Sequence, residues 1–270
     1  MDPSMDAEAL QMLADSLRTA MGSASGEALD AALADLGWLE MLDEIPESAI
    51  PLVFGLLGET GAHAPILNDV VLRAAGRDAG GTVALPFVGG SWVTWDRAGG
   101  GTSAIDEQLP IHRVAQGDPL SAEALAAGRC AIGWWLVGSS RAMLALARRH
   151  ALDRTQFGKP VASFQAVRHR LAETLVAVEG AEATLRAAAD APDDLAWLLA
   201  KAAAGQAAST AAKHCQQVLG GIGFTAEHAL HHHVKRSLLL DGLLGGSREL
   251  TREAGAILRS TGHAPRLAEL

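Results

Sequence analysis

After Ser121 the chain reads as one long helix after another, and that run constrains the fold more than any other feature of the sequence. Alanine and leucine dominate it, and both carry strong helix propensity and let helices pack closely. Ser121 has the side chain of an N-cap, and Glu123 and Glu173 fall in expected first turns, where a carboxylate complements the helix dipole. The first helix is expected to reach about Leu152. Others follow from Ser163 to Ala189, Asp194 to Leu219 and Ala226 to Leu239, with a last one after Ser247; Pro192 divides two of them. The alanine-rich stretch Lys201 to Ala212 belongs inside a close-packed helix. Four long antiparallel helices make a bundle, so residues 121–270 are expected to form one.

The first 75 residues are also helical. Leu10, Leu13 and Leu17 recur at amphipathic spacing, and Gly22 to Gly26 breaks that helix. A second helix is expected from Glu27 to Leu36, stopped at Gly37, and a third from Ser48 to Gly61, apolar on most sides and packed between neighbours. Residues 76–120 change character. Glycine clusters surround β-favouring runs at Thr82 to Phe87 and Ser91 to Trp95, which predict a small region of short strands. The expected fold is therefore mainly α, with N-terminal helices, a short β region and a C-terminal bundle.

Charge and composition remove several functions. The formal net charge of −9 gives no electrostatic reason to bind phosphate backbones, and with no tyrosine and 4% aromatics there is little material for stacking bases. The start, Met1-Asp-Pro-Ser-Met-Asp6, lacks the basic and apolar regions of a signal peptide, and no apolar run reads as a membrane span, so the cytoplasm is the expected location. Cys130 and Cys215 lie in apolar helical contexts as small buried hydrophobes, and no disulfide or cysteine metal site is expected.

Two motifs carry chemistry. Arg154-Thr-Gln-Phe-Gly-Lys159 follows a helix whose last turns hold Arg148, Arg149 and His150, and Phe164-Gln165 opens the next. Arginine presents a fork of donors that matches phosphate oxygens, although at a helix end it also complements the dipole. About sixty residues on stands Gln217-Val-Leu-Gly-Gly-Ile-Gly-Phe224. Paired glycines at a helix end bring backbone amides close to a ligand, or simply stop the helix.

Together, from about Ala122 to Leu258, these motifs resemble the C-terminal helical domain of the acyl-CoA dehydrogenases. Leu33-Ala-Asp-Leu-Gly-Trp-Leu39 is similar to that family's N-terminal helical domain, with the following loop cut short. The resemblance implies FAD contacts to its ADP half: Arg154 at the pyrophosphate, Gln156 and Phe157 lining the cofactor, Gln165 beside it, and Gln217, Gly220 and Gly221 on the second motif. The flavin is usually that of a neighbouring subunit. The family's middle β domain is about twice as long as the region here and holds the isoalloxazine ring.

The base that removes the substrate's α-proton is missing. Where the family reads Tyr-Glu-Gly-Thr, this chain has Leu244-Gly245-Gly246-Ser247, and at the alternative site in the first bundle helix, beside Arg129, it has Gly128. Glu249, one turn beyond Gly245, is the fallback base, with a structural surface role the more ordinary reading. His228, His231, His232 and His233 share helical spacing, but no carboxylate or cysteine completes a metal set and Lys235 and Arg236 add adverse charge; no metal is expected.

The resemblance thus implies the shortened, non-catalytic subunit of a heteromeric acyl-CoA dehydrogenase, like those of actinobacterial α2β2 heterotetramers that degrade steroid side chains. A longer partner subunit with an intact glutamate would bind most of the acyl-CoA, and FAD would be shared at the interface. Two alternatives stand: a self-sufficient dehydrogenase using Glu249, and a helical scaffold that has lost the flavin.

Overall fold

The computed structural model describes residues 3–97, 103–190 and 192–262. The N-terminal helices are α1 (Pro3–Ser23), α2 (Glu27–Asp35), α3 (Trp38–Glu44), α4 (Pro46–Thr60) and α5 (Leu67–Ala74). Three short strands follow, β1 (Ala84–Phe87), β2 (Ser91–Trp95) and β3 (Ile111–Val114). They form an antiparallel sheet in the order β1-β2-β3, with Leu85 opposite Val93 and Val93 opposite Arg113. Then come α6 (Ala122–Asp153), a hairpin of β4 (Thr155–Gln156) and β5 (Lys159–Pro160), and α7 (Gln165–Asp190). The chain continues through α8 (Asp194–Leu219), α9 (Leu230–Gly242) and α10 (Ser247–Thr261). The fold is mainly α, as the sequence predicts, and α6, α7, α8 and α10 pack as the bundle, with α8 at its centre.

Local chemistry accounts for the boundaries. The Ser121 hydroxyl accepts from Ala124 N at 3.2 Å and Asp193 caps α8 by accepting from Ala196 N, as N-cap residues do. Pro46 begins α4 two residues ahead of the predicted Ser48, because proline at a first helical position loses no hydrogen bond. Gly37, expected to end a helix, takes a left-handed conformation with φ 81 and starts the next one as well. The sequence reading misses α3 and α5, whose 7 and 8 residues are too short to display a period, and it misses β3. Glu173 lies in the third turn of α7, not its first. The helix expected from Ala226, α9, starts at Leu230, since Leu230 N donates to His228 Nδ1 at 3.1 Å and residues 225–229 are spent in a turn, and α10 takes its place as the fourth bundle helix.

The core runs without interruption from the N-terminal helices through the sheet into the bundle. A file of aromatic rings crosses it: Trp38 to Phe54 at 6.1 Å, Phe54 to Trp135 at 5.6 Å and Trp135 to Trp95 at 5.6 Å between centroids, joining α3, α4, α6 and β2. Edge and offset geometries of this kind add to the stabilisation from burial alone. Where α4 crosses α6 the helices touch backbone to backbone. A Cβ on Gly58 would lie 2.3 Å from the Trp135 carbonyl oxygen, and one on Gly138 would lie 2.1 Å from that of Gly55. Helix α6 contains a stretch apolar enough to cross a membrane, which the sequence reading overlooked, but 67% of that window is buried against the rest of the chain, as in a core helix.

Two ionic clusters, one buried and one half-buried, lock the layers together. Arg236 of α9 pairs with Asp106, and its Nη1 donates to the carbonyls of Gly61 and Ala62 at 3.2 Å each. Arg97 pairs with Asp30 and Asp69, while Asp69 also accepts from Trp38 Nε1 at 3.1 Å and Gly80 N at 2.8 Å. Arg236, Arg97 and Asp69 each have their polar atoms met by more than one partner, which is what makes a charge out of water tolerable.

Candidate functional site

Antiparallel packing brings the C-terminus of α6, the N-terminus of α7, the C-terminus of α8 and the start of α9 to one end of the bundle. A second small core joins them there, built on Met143, Ala147 and Ala151 of α6, Ala211, Cys215 and Val218 of α8, and Leu230 of α9. Both sequence motifs therefore sit at the same end, although about sixty residues separate them in sequence.

The arginine motif is a tight hairpin. Thr155 faces Pro160 and Gln156 faces Lys159, with Phe157 and Gly158 at the turn. Both turn residues have positive φ, 53 for Phe157 and 77 for Gly158, as a two-residue hairpin turn that follows strand twist requires. Glycine is at ease there; phenylalanine is strained. That strained residue holds its ring 91% exposed, with only an edge contact to Phe164 at 6.2 Å between centroids. Lys159 Nζ sits 4.5 Å above the Phe164 ring. Arg154 is the C-cap of α6, its amide donating to the His150 carbonyl at 2.9 Å. Among the described residues its exposed guanidinium meets no carboxylate. Gln156 and Gln165 are exposed beside it.

The second motif closes α8. Gly220 has φ 65 and ψ −140, a conformation open to glycine and little else, and the next four residues make a tight turn. Gln217 and Gly221 are exposed, and nothing lies within 4 Å of a Cβ built on Gly220 or Gly221. Gly223, by contrast, is packed onto the Gln216 carbonyl at 2.8 Å from its virtual Cβ, so the glycines divide between one that packs and two that face outward. Phe224 is 69% exposed. Beside the arginine motif lies a groove of about 430 Å³ lined by Leu146, Arg149, His150, Asp153, Arg154 and His228. Partial burial, then His228 and Arg154, hold the His150 pKa below its ordinary value, against the pull of Asp153.

The other end of α9 is closed. A Cβ on Gly128 would meet Leu244 Cδ1 at 2.4 Å, and one on Gly245, at φ 101, would meet Leu250 Cδ2 at 2.7 Å. Leu244 itself has φ 57, its amide donating to the Pro86 carbonyl at 2.8 Å and its carbonyl accepting from Arg129 Nε at 3.3 Å. Beneath this loop, fully buried Lys201 donates to the carbonyls of Asp241 and Gly245. Burial pulls its pKa down to about 8, with Asp241 opposing. Asp241 in turn accepts from Ser247 N and Ser247 Oγ, both at 3.2 Å. Glu249 spends both oxygens on backbone, accepting from Gly89 N at 3.0 Å and Gly246 N at 3.2 Å, and these bonds lower its pKa. A carboxylate so held is a helix cap and a poor proton acceptor.

The histidine cluster diverges. His231 and His232 stack at 3.8 Å between centroids, while His233 turns inward against Gly61. Among the described residues no group of three or more His, Cys, Asp or Glu could hold a metal ion. Cys215 is buried and Cys130 half-buried, and burial pushes both thiols up to about 12.

Sequence reasoning overlooked the Lys201 clamp, the Arg236–Asp106 pair and the facing of His150 and His228. One signal was available: Lys201 is the only charged residue between Asp194 and Lys213 in an otherwise apolar helix.

An N-terminal helical layer, a small antiparallel sheet and a bundle carrying these two motifs at one end define the acyl-CoA dehydrogenase fold. Residues 115–257 match the family model for the acyl-CoA dehydrogenase C-terminal domain, and the chain belongs to that family. Over 219 residues, 72% of this chain and 30% of the relative, it is 34% identical to acyl-CoA dehydrogenase FadE34 of Mycobacterium tuberculosis. Acyl-CoA dehydrogenase IpdE2 of the same organism is 39% identical over 116 residues, 43% of this chain and 36% of that one. The chain thus spans about a third of the length of these relatives. A chain of the Tcur3481-Tcur3483 steroid ACAD superposes with TM-score 0.73 at 19% identity, over 95% of this chain and 99% of that one. One from the ChsE4-ChsE5 complex of Mycobacterium tuberculosis gives 0.70 at 20%, over 96% and 98%.

Proposed function

We propose that this chain is the non-catalytic subunit of a heteromeric, FAD-dependent acyl-CoA dehydrogenase, contributing contacts to the ADP half of a flavin shared with a longer partner. The observation that carries this reading is a contrast between the two ends of α9. The nucleotide-facing end is open, with Arg154 unpaired among the described residues, Gly220 and Gly221 uncovered, and Phe157 held out on a strained turn. The end where a catalytic base would stand is filled by Leu244 and Leu250, and the nearest carboxylate, Glu249, caps a helix.

The residues present fit half of the cofactor. Arg154 supplies a fork of donors for the diphosphate, with Gln156, Phe157 and Gln165 beside it and Gln217, Gly220 and Gly221 offering glutamine and open backbone to the adenosine. The sheet does not fit the ring: its strands have 4 or 5 residues, and Leu85, Val93, Trp95 and Ile111 are buried in the core and not facing a ligand. Bound FAD supplies the hydride acceptor for α,β-dehydrogenation of an acyl thioester; the glutamate and most of the substrate pocket belong to the partner. Two solved assemblies with chains of this fold are named as pairs, and one is named a steroid ACAD, which favours a steroid side-chain thioester as substrate.

The test is coexpression with a longer dehydrogenase subunit that has an intact glutamate. A colourless lone chain, a yellow copurifying complex and loss of flavin in Arg154→Ala are expected. Stoichiometric flavin in the lone chain would falsify the shared site, and a colourless complex would leave a scaffold in its place.

A further inference from the structure

The groove beside Arg154 contains more cationic groups than the arginine motif accounts for. Arg149, His150 and Arg154 project into it from the last turns of α6, and His228 faces them from the segment that leads into α9. Asp153 is the single carboxylate among its lining residues. His228 is fixed in role as well as place. Its Nδ1 accepts from Leu230 N at 3.1 Å, so the ring proton sits on Nε2 and is a donor. Behind it, His231 Nδ1 lies 2.8 Å from the His228 carbonyl oxygen. His150 is half-buried between Arg154 and His228, and its own backbone carbonyl is taken by the Arg154 amide. The groups that face it are therefore Arg149, Asp153 and Arg154 from its own helix and His228 from the opposite wall.

We infer that Arg149, His150, Arg154 and His228 form one binding groove for a nucleoside diphosphate, in which His150 takes up a proton as the anion enters. The inference rests on the FAD reading above and adds to it Arg149, His150 and His228 as ligand-binding residues and a proton as co-ligand. Partial burial first, then His228 and Arg154, disfavour a charge on His150 and lower its pKa, with Asp153 opposing. A diphosphate between them reverses the sign of the field: its two negative charges favour the imidazolium, and the proton comes from solvent. Linkage then requires that affinity fall as pH rises through the range in which the bound form loses that proton, by at most about tenfold per pH unit.

The probe is ADP-ribose, whose diphosphate diester does not titrate between about pH 5.5 and pH 8, added to the full-length chain in calorimetry at fixed ionic strength. Binding about three- to tenfold tighter at pH 5.5 than at pH 8 is expected, with net proton uptake revealed by a buffer-dependent heat. His150→Gln should flatten the pH dependence, and His150→Lys, a charge that does not titrate in this range, should bind tightly at both pH values. His228→Gln and Arg149→Gln should weaken binding at both. Unchanged pH dependence in His150→Gln overturns the proton coupling, and absence of binding by the wild-type chain overturns the groove. Neither result touches the shared-flavin reading, which fails separately, on a colourless complex.

Discussion

Arg236 is 2% exposed and its partner Asp106 3%, so their attraction acts far from water and each is costly to leave alone. Arg236→Met is expected to destabilise the chain by about 3–5 kcal/mol, and adding Asp106→Asn to recover part of that loss, read from urea midpoints. Two histidines set the acid limit. Burial, then Arg236, pulls both His63 and His233 down to about 4 from 6.5. Because the unfolded chain binds those protons more readily, their neutral forms favour folding fully above pH 6.5. That contribution, about 3 kcal/mol each, is lost as pH falls from 6.5 to 4. Urea titrations at pH 7 and pH 4.5 should show the drop, and His233→Gln should shrink it; equal drops would remove His233 from the account. Arg154 was legible as a motif because its neighbours in sequence are its neighbours in space. Arg236 and Asp106 are 130 positions apart, and nothing local marks either as a partner of the other.

At the scale of elements, glycine has opposite meanings on different helices. Gly138 lets α6 touch α4, with its virtual Cβ 2.1 Å from a backbone oxygen that cannot swing aside. Gly138→Ala should therefore lose at least about 1–3 kcal/mol, as overpacked cores do. Gly180 on α7 is exposed with nothing within 4 Å, and Gly180→Ala should gain about 0.5–1 kcal/mol by helix propensity alone. Thermal melts of the two variants compare them directly, and a gain at both would deny the backbone contact. The long helices α6, α7 and α8 were legible because dozens of residues repeat one preference and their caps are ordinary Ser and Asp. The short α3 and α5 owe their helicity to burial against neighbours, a tertiary cause that local pattern does not contain.

For the whole molecule, the strained, exposed Phe157 sets the folding of the lone chain against the assembly proposed above. Phe157→Asn, which tolerates a left-handed backbone, should raise the melting stability of the lone chain by up to about 1 kcal/mol and, on the shared-flavin reading, weaken the complex with the partner. A lone chain no more stable than wild type would mean the turn is not strained. The closed end has a different consequence, which concerns what a single substitution could add. Leu244 and Leu250 occupy the volumes that side chains at 128 and 245 would need, and the Lys201 clamp holds the loop that carries Leu244 and Gly245. A glutamate introduced at either position by one substitution would collide with a leucine, and shaving that leucine back first would open a void. On the shared-site reading proposed above, a single substitution would therefore not make this chain self-sufficient, because packing as well as sequence stands against a base here.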